Sequence, residues 1–345
     1  MKKIVILLII MWPVTLIAKE YWTSIEVTSG TGVEKCQPLA KLPKKFKNDW
    51  NLAFVTWSRA NPYHGTAQKG MVAASEFYGV KFSDLDAGAP QGGTVMIDLA
   101  EQLMLYNPDV IGVLGQGPET FEPIAASAFD KDIVFLSVDS GKSEYSPYVY
   151  GIPDRRSGGV GGKMLAEGIS EKIKNDWSGR ELFFIEFTHT GIPACVNRTA
   201  GFREAFAKEM GLDKSNLIMA DVAGGQSPQD LMAAALTARP KGVFGLTGCW
   251  DQLGIDPWNA GKEAGRGKDM MLVTLGGDKP PADLLITKPE GYYGYVEWQP
   301  FCEGWGWVET SLAILEGERF KPYETRYLTT QKNIDVRYKE LYGNP

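Results

Sequence analysis

The chain has 345 residues with a formal net charge of -6, and 23% of its residues are charged. A protein that binds nucleic acid needs a basic face toward the phosphates, so this mixed, slightly acidic composition argues against nucleic acid as a partner. The length exceeds that at which a single hydrophobic core stops growing, which predicts two domains.

The first 18 residues have the pattern of a secretory signal peptide. Lys2 and Lys3 precede an apolar run over residues 4–17, and Ala18 stands before the polar Lys19. The run has about 14 residues, fewer than the roughly 20 that a membrane-spanning helix needs. We therefore expect export with removal of this segment, and a retained membrane anchor is the alternative.

Residues 19–49 follow as a polar segment without clear periodicity, and they contain Pro38 and Pro43. This composition favours irregular structure over a strand or a long helix. We interpret the segment as an N-terminal extension that packs on the domain that follows it.

From Trp50 onward, short apolar strands alternate with helix-like stretches, which is typical of a doubly wound α/β fold with parallel sheets. The first set comprises strands at 51–56, 80–85, 110–114 and 133–138 and helices at 70–78, 94–106 and 120–129. The second set comprises strands at 181–187, 217–222, 242–246 and 271–275 and helices at 200–210, 228–238 and 257–264. A crossing strand at 291–298 and a helix at 302–316 come last.

Two runs of the same period predict two similar, Rossmann-like lobes rather than one large sheet. We assign 50–153 and 298–327 to the N-terminal lobe, and 154–297 and 328–345 to the C-terminal lobe. Open α/β sheets bind ligands at the carboxyl ends of their strands, so the ligand is expected between the lobes.

Four cysteines in an exported chain are expected to pair. None has the CxxC spacing of a zinc site, and His64 and His189 have no second ligand nearby, so no metal is expected. We place Cys195 and Cys249 each at the end of a second-lobe strand, immediately before the predicted cleft positions Val196 and Trp250, which makes a bridge between neighbouring strand ends sterically plausible. Cys36 would then pair with Cys302, although the other two pairings of four cysteines stay open.

Four segments occur in an order and spacing that resemble a known family. They are Asn61-Pro62-Tyr63-His64, Val134-Phe135-Leu136-Ser137-Val138-Asp139, Asp154 with Gly158, Gly159 and Gly162 before Leu165-Ala166, and Trp250-Asp251 with Ala260-Gly261 and Ala264-Gly265. Over roughly residues 50–328 the chain resembles the type I periplasmic binding proteins, the ribose- and galactose-binding family that includes autoinducer receptors. The resemblance implies two lobes that close on a ligand about a three-crossing hinge, near 152–154, 297–298 and 327–329.

The resemblance also implies a ligand site on the N-terminal lobe. Asn61 matches a polar contact, and Tyr63 and His64 match two ring contacts. Asp139 matches a carboxylate that accepts hydrogen bonds from sugar hydroxyls. Trp57 stands at the same strand end, where a flat ring can stack on the apolar face of a sugar or around a cation.

The expected contacts on the other side of the cleft are less regular. Trp250 falls where the family usually has an Asn, and Asp251 matches the acidic residue beside it. Trp298, with Gln299 next to it, falls at a hinge position that usually holds an amide. All four are expected to contact ligand.

Two positions depart from the family pattern. Val196 stands where the family usually supplies an Arg, and Arg198 lies two residues later. The strand that usually ends in a carboxylate reads Leu275-Gly276-Gly277, with Asp278 displaced by two. We expect Arg198 and Asp278 to replace the missing partners.

The resemblance implies a monomeric periplasmic solute-binding protein that delivers a small sugar-like or polyol ligand to the permease of an ABC importer. The alternative is a sensory receptor that presents a small signal molecule to a histidine kinase or chemoreceptor. No nucleophile with its base, paired acid and base or phosphate-binding loop stands out, so neither an enzyme nor a cofactor is expected.

Overall fold

The computed structural model describes residues 36–343, apart from 44, 89–91 and 325–326. The predicted signal peptide and the first part of the extension lie outside the described residues. Within this range, no helix has the length and apolar character needed to cross a membrane.

Ten strands and ten α-helices alternate through this part of the chain. In chain order they are β1 (Asn51–Thr56), α1 (Pro62–Tyr78), β2 (Lys81–Asp86), α2 (Gly92–Met104), β3 (Val110–Val113), α3 (Pro118–Phe129), β4 (Val134–Phe135), α4 (Asp154–Asn175), β5 (Leu182–Thr188), α5 (Pro193–Met210), β6 (Leu217–Asp221), α6 (Pro228–Ala238), β7 (Val243–Gly248), α7 (Asp251–Glu263), β8 (Met270–Gly276), α8 (Lys279–Ile286), β9 (Tyr292–Glu297), α9 (Pro300–Leu315), β10 (Tyr327–Thr330) and α10 (Ile334–Tyr342). Short 3-10 turns, Lys214–Asn216 and Gly267–Asp269, lead into β6 and β8.

The strands form two separate sheets, one in each lobe. The first has four parallel strands in the order β2-β1-β3-β4, and the second has six in the order β10-β9-β8-β7-β5-β6. Only β10 runs antiparallel, against β9. The predicted α/β fold with two doubly wound lobes is confirmed.

The chain passes between the lobes three times. It leaves the first sheet before α4, returns from β9 into α9, and goes back from α9 to β10 at the edge of the second sheet. The carboxyl ends of β1, β7 and β8 therefore face one cleft between the lobes.

Glycines allow helices α4 and α5 to pack unusually closely. A Cβ on Gly158 would overlap the carbonyl oxygen of Arg198, and one on Gly201 would overlap that of Arg155. The glycines of α4 and α5 thus let the backbones touch. This contact brings Asp154, at the first turn of α4, beside Arg198 in α5.

The described part of the extension is fastened to α9. Cys36 forms a disulfide with Cys302, and the backbone N–H of Leu39 donates to Glu309 Oε2 at 2.8 Å. The carbonyl of Leu39 accepts from Lys321 N at 2.7 Å. The extension therefore lies on the N-terminal lobe.

Several predicted boundaries were wrong, mainly at helix N-termini. Helix α1 begins at Pro62 rather than 70, and α5 begins at Pro193 rather than 200, because proline fits the first helical turn where its missing N–H is not needed. Helix α7 begins at Asp251 and contains Pro257, the position predicted as its start. Helices α8 and α10 were not predicted.

The strand predicted at 133–138 is reduced to Val134–Phe135. Its backbone still pairs further on, since Leu136 N donates to Ile111 O and Val138 N donates to Val113 O. The strand ends at Asp139, which takes a left-handed conformation with φ 53°. This turn directs the chain toward the hinge.

Candidate functional site

A cavity of 360 Å³ lies between the two lobes. Both lobes contribute to its walls, together with the hinge residue Trp298. Ten of the eleven predicted site residues line it: Trp57, Asn61, Tyr63, His64, Asp139, Arg198, Trp250, Asp251, Asp278 and Trp298. Gln299 is not among its lining residues.

The first-lobe wall is built at the start of α1. Asn61 caps this helix, because its Oδ1 accepts from the backbone N–H of Tyr63 at 2.9 Å. The cap fixes the first helical turn, and the ring of His64 lies 5.6 Å from that of Trp57 and 6.3 Å from that of Tyr63. The amide is therefore used by the fold, while three rings form a surface toward the cavity.

Polar atoms on this wall are not all paired. Trp57 Nε1 and His64 Nδ1 are buried and have no hydrogen-bond partner among the described residues. Burial lowers the pKa of His64 to about 4, so the imidazole is neutral at neutral pH. The wall thus contains one N–H donor and one imidazole nitrogen that have no partner among the described residues.

Tyr63 also reaches behind the wall. Its hydroxyl donates to Glu303 Oε2 at 2.6 Å, and Glu303 is 1% exposed. Burial, followed by the charge of Asp139, raises the pKa of Glu303 well above its usual range. This hydrogen bond fixes the Tyr63 ring beside that of Trp298, and the two ring centroids lie 6.0 Å apart.

Arg198 links the two lobes instead of pointing freely into the cavity. Its NH2 group donates to Asp139 Oδ2 at 2.7 Å, and its Nε donates to Asp154 Oδ1 at 2.6 Å. The guanidinium also lies over the Trp298 ring, 4.2 Å from the centroid. With two carboxylates and a ring already bound, its first role is to hold the walls in place.

The Asp139 carboxylate is also hydrogen-bonded within the protein. Its Oδ1 accepts from the backbone N–H of Ile152 at 2.7 Å, on the first crossing between the lobes. Both Asp139 and Arg198 are buried, at 8% and 7% exposure. The pair therefore closes the cavity beside the hinge.

Trp298 and Gln299 occupy the second crossing. Trp298 is buried, and its Nε1 donates to Ser157 Oγ at 2.7 Å. Gln299 takes a left-handed conformation with φ 52° just before α9, and its carbonyl accepts from Tyr323 at 3.0 Å. The cavity lining does not include Gln299, so its predicted ligand contact stays a prediction.

The second-lobe wall carries two neighbouring carboxylates. Asp251, in the first turn of α7, accepts at Oδ2 from the backbone N–H of Gly277 at 2.6 Å. Gly276 and Gly277 take φ values of 139° and 73°, which favour glycine and let the backbone turn around Asp251. Asp278 follows directly and lines the same cavity.

Both carboxylates hold protons more tightly than usual. Burial raises the pKa of Asp251 to about 6. Burial and then the charge of Asp251 raise the pKa of Asp278 to about 8. Ionisation of the second-lobe wall is therefore electrostatically unfavourable.

Val196, the position compared with the family Arg, is 40% exposed and does not line the cavity. Arg198 lines the cavity from a different face of α5. The site also includes residues that the sequence prediction missed, namely Ile192, Cys195, Gln252, Pro280 and Pro281. Pro280-Pro281 lies one residue after the Gly276-Gly277-Asp278 turn at the end of β8, a signal that could have identified it.

The favoured cysteine pairing is confirmed, with bonds Cys36–Cys302 and Cys195–Cys249. One part of the reasoning was wrong, because Cys195 lies in the first turn of α5 and not at a strand end. The bridge joins that turn to the end of β7, with 5.0 Å between the Cα atoms. It stiffens the wall that carries Trp250.

Among the residues that the structure describes, no group of three His, Cys, Asp or Glu is arranged to hold a metal ion. The arrangement suits reversible binding: rings for stacking, carboxylates and an imidazole for hydrogen bonds, and a hinge nearby.

Solved structures share this architecture. They include a glucose-galactose binding protein from Geobacillus stearothermophilus, with 17% identity, a TM-score of 0.69 and coverage of 83% of this chain and 99% of that one. A carbohydrate transporter solute binding protein from Agrobacterium radiobacter in complex with D-arabinose has 19% identity, a TM-score of 0.69 and coverage of 85% and 99%. An ABC transporter solute binding protein from Agrobacterium vitis with bound allitol has 17% identity, a TM-score of 0.71 and coverage of 86% and 99%.

No curated protein matches the sequence. The family model for the periplasmic binding protein domain matches residues 52–319, which is most of the chain. The predicted resemblance is thereby confirmed, and the chain belongs to the periplasmic binding protein domain family.

Proposed function

We propose that this protein is a periplasmic solute-binding protein that captures a small sugar-like or polyol ligand between its lobes and delivers it to an ABC importer. The observation that carries the proposal is the cavity itself. It is formed by both lobes at the carboxyl ends of parallel strands, where open α/β sheets bind ligands, and its 360 Å³ is in the range of small-molecule sites.

The lining suits a ligand with an apolar face and hydroxyl groups. Trp57 and Trp250 are half-buried on opposite walls, so their rings can stack on a sugar ring. Unpartnered polar atoms at His64, Trp57 and Asp251 can exchange hydrogen bonds with hydroxyls. A buried polar atom without a partner costs about 1–3 kcal/mol, so a hydroxyl that pairs with it is favoured.

Closure couples binding to recognition by a membrane partner. The Asp139–Arg198 ion pair joins the two lobes beside the hinge, so we expect it to stabilise the closed arrangement. Closure also excludes water, which strengthens each hydrogen bond inside the cavity. The ligand leaves unchanged, because binding and release complete the cycle.

The first experiment is a thermal-shift screen of the mature chain, residues 19–345, against monosaccharides, alditols and small cyclic alcohols. A ligand that binds the native state raises the melting temperature by mass action. A hit at micromolar concentration supports the proposal, and the absence of any shift across the panel contradicts the proposed ligand class.

A variant pair tests the location. Trp250→Ala should weaken binding of the hit about 10-fold through the lost stacking area. Trp305→Ala is the matched control, because this half-buried tryptophan lies on α9 outside the cavity. Equal loss in both variants, or none in either, would place the ligand elsewhere.

The importer role is tested in the host organism by deleting the gene and measuring uptake of the radiolabelled hit. Loss of uptake supports the importer. Normal uptake together with a lost transcriptional or chemotactic response to the same compound would favour the sensory alternative.

A further inference from the structure

Asp278 stands at the N-cap position of α8 but does not cap the helix. A capping side chain accepts from the backbone N–H of the second or third helical residue. Those residues are Pro280 and Pro281, and proline has no N–H to donate. The carboxylate is therefore free of the usual structural use of Asp at this position, and it lines the interlobe cavity instead.

Asp251 is the second acidic group on this wall, and it is only 8% exposed. Its Oδ2 accepts from the backbone N–H of Gly277, and a hydrogen bond from the Thr274 side chain also acts on the carboxyl, whereas Oδ1 lacks a well-aligned partner among the described residues. The two carboxylates flank the turn at Gly277 and repel each other, since the charge of Asp251 raises the pKa of Asp278. A second acidic group beside an incompletely paired carboxyl in one buried wall favours a cation there, since a cation stabilises the ionised form of both groups.

No cation within the described residues meets this need. Lys279, next in the chain, donates to Asp283 at 2.5 Å and to Tyr338 at 3.1 Å. The guanidinium of Arg198 is bound by Asp139 and Asp154. Neither Asp251 nor Asp278 forms an ion pair with a described Lys or Arg.

The rest of the cavity is compatible with a positively charged ligand. Trp57, Tyr63 and Trp250 line it, and aromatic faces attract cations. His64 is neutral at neutral pH, because burial holds its pKa at about 4, so it adds no opposing charge. Charge and shape thus both favour an ammonium group near the acidic wall.

We propose that the ligand is an aminated sugar or amino alditol, whose protonated amine lies between Asp251 and Asp278 and whose carbon skeleton lies against Trp57 and Trp250. This inference rests on the proposed function and narrows its ligand class. A hydroxyl group offers one donor and no charge, whereas an ammonium group offers three donors and neutralises the paired carboxylates.

Calorimetric titration with matched trios tests this. Each trio contains an amino sugar, its parent sugar and its N-acetyl form, in the gluco, galacto and manno series, and glucamine is compared with glucitol. In at least one series we expect the aminated member to bind at least 10-fold tighter than both neutral members. If a neutral member binds as tightly or tighter, the amine assignment is overturned while the proposed function stands. If no member of any series binds, both are overturned.

Asp278→Asn tests the wall itself. Because Asp278 makes no capping bond, this variant should keep its fold and lose at least 10-fold in affinity for the amine, a loss larger than its loss for any neutral sugar that the parent protein binds. Asp230→Asn, an exposed position at the start of α6, is the matched control and should change neither. An Asp278→Asn variant that binds the amine as tightly as the parent protein would overturn the proposal.

Proton release provides a readout that a purely structural role would not give. At pH 7.0 the Asp278 carboxyl is largely protonated, and an ammonium group should ionise it, releasing up to about one proton into the buffer. Titration of glucamine in two buffers of different ionisation enthalpy measures this release. The release should be absent with glucitol and in Asp278→Asn, and its persistence in that variant would contradict the assignment. The titratable or charged groups that face Asp278 are Asp251, Lys279, Asp283, Tyr292 and Tyr342.

Discussion

The two walls of the cavity are built on different principles. On the first-lobe wall, the polar side chains mostly serve the fold: Asn61 caps α1, and Tyr63 donates to the buried Glu303. On the second-lobe wall, Asp251 and Asp278 are two neighbouring acidic groups, and neither forms an ion pair with a described Lys or Arg. The first wall therefore supplies a fixed aromatic shape, and the second supplies the electrostatic selectivity.

The group that joins the walls is Arg198, and its removal gives the largest expected effect. Arg198→Met leaves the carboxylates of Asp139 and Asp154 buried without their cation, which should lower the free energy of unfolding by about 3–5 kcal/mol. Chemical denaturation monitored by tryptophan fluorescence measures this loss.

The control for that experiment is Arg155→Met. Arg155 forms an ion pair with Glu204, but both side chains are more than half exposed. Such pairs contribute about 0–1 kcal/mol, so the variant should unfold close to the parent protein. If Arg198→Met is equally mild, the interlobe bridge does not hold the walls together.

The two disulfides should differ in how their removal affects ligand binding. Replacing Cys195 and Cys249 with Ser should lower the free energy of unfolding by about 2–4 kcal/mol and should also weaken ligand binding, because this bridge forms the wall beside Trp250. Replacing Cys36 and Cys302 should destabilise the protein and leave the ligand affinity of the folded fraction unchanged. An affinity loss confined to the second pair of substitutions would reverse the assignment.

The fold could be predicted from the sequence because its signals are local. Most strands are apolar runs followed by a turn residue, and such runs predicted the parallel strands of both sheets. Helix starts were harder to predict, since Pro257 reads as a start signal yet lies inside α7. There the tertiary packing of Trp258, which is fully buried, overrides the local signal.

The sequence predicted which residues line the site, but not what each of them does there. Ten of the predicted residues line the cavity, but the sequence does not tell which of them are already engaged by the protein. Arg198 is bound by Asp139 and Asp154, which lie 59 and 44 residues away in the chain. Gln299 does not line the cavity, and its left-handed backbone conformation occurs without the glycine that would signal it in the sequence.

The acidic wall should also make stability depend on pH. The folded state keeps protons on Asp278 up to about pH 8 and on Asp251 up to about pH 6, whereas the unfolded chain releases them near pH 4. The folded state binds more protons in this window, so the free energy of unfolding falls as the pH rises from 4 to 8.

Asp278→Asn should remove part of that decline, about 1–3 kcal/mol after allowance for solvent screening at this partly exposed group. Denaturant titrations at pH 5, 6.5 and 8 measure it in the parent protein and the variant. Parallel pH profiles for the two proteins would show that Asp278 is not protonated by the folded state.

The first-lobe wall should respond to pH with the opposite sign and at lower pH. Burial lowers the pKa of His64 to about 4, so between pH 6.5 and 4 the unfolded chain binds a proton that the folded state excludes. Stability should therefore rise with pH across this window, by about 1–2 kcal/mol. His64→Phe, which keeps a ring beside Trp57, should flatten the rise in denaturation measured at pH 4 and 6.5, whereas His189→Phe, outside the cavity, should keep it.

The smallest effect is expected at Val196, the position where the family resemblance places a ligand-binding Arg. Val196 is 40% exposed and does not line the cavity, so Val196→Arg should change stability by no more than about 0.5 kcal/mol and should leave ligand affinity within twofold. The reason is geometric: Arg198, two residues further along α5, already points to Asp139 and Asp154, so the added guanidinium would extend into solvent from another face of the helix. Calorimetric titration of the variant measures the affinity. A large gain in affinity would mean that position 196 reaches the ligand in the closed state, and the second-lobe wall would then include a helix face that the present arrangement leaves in solvent.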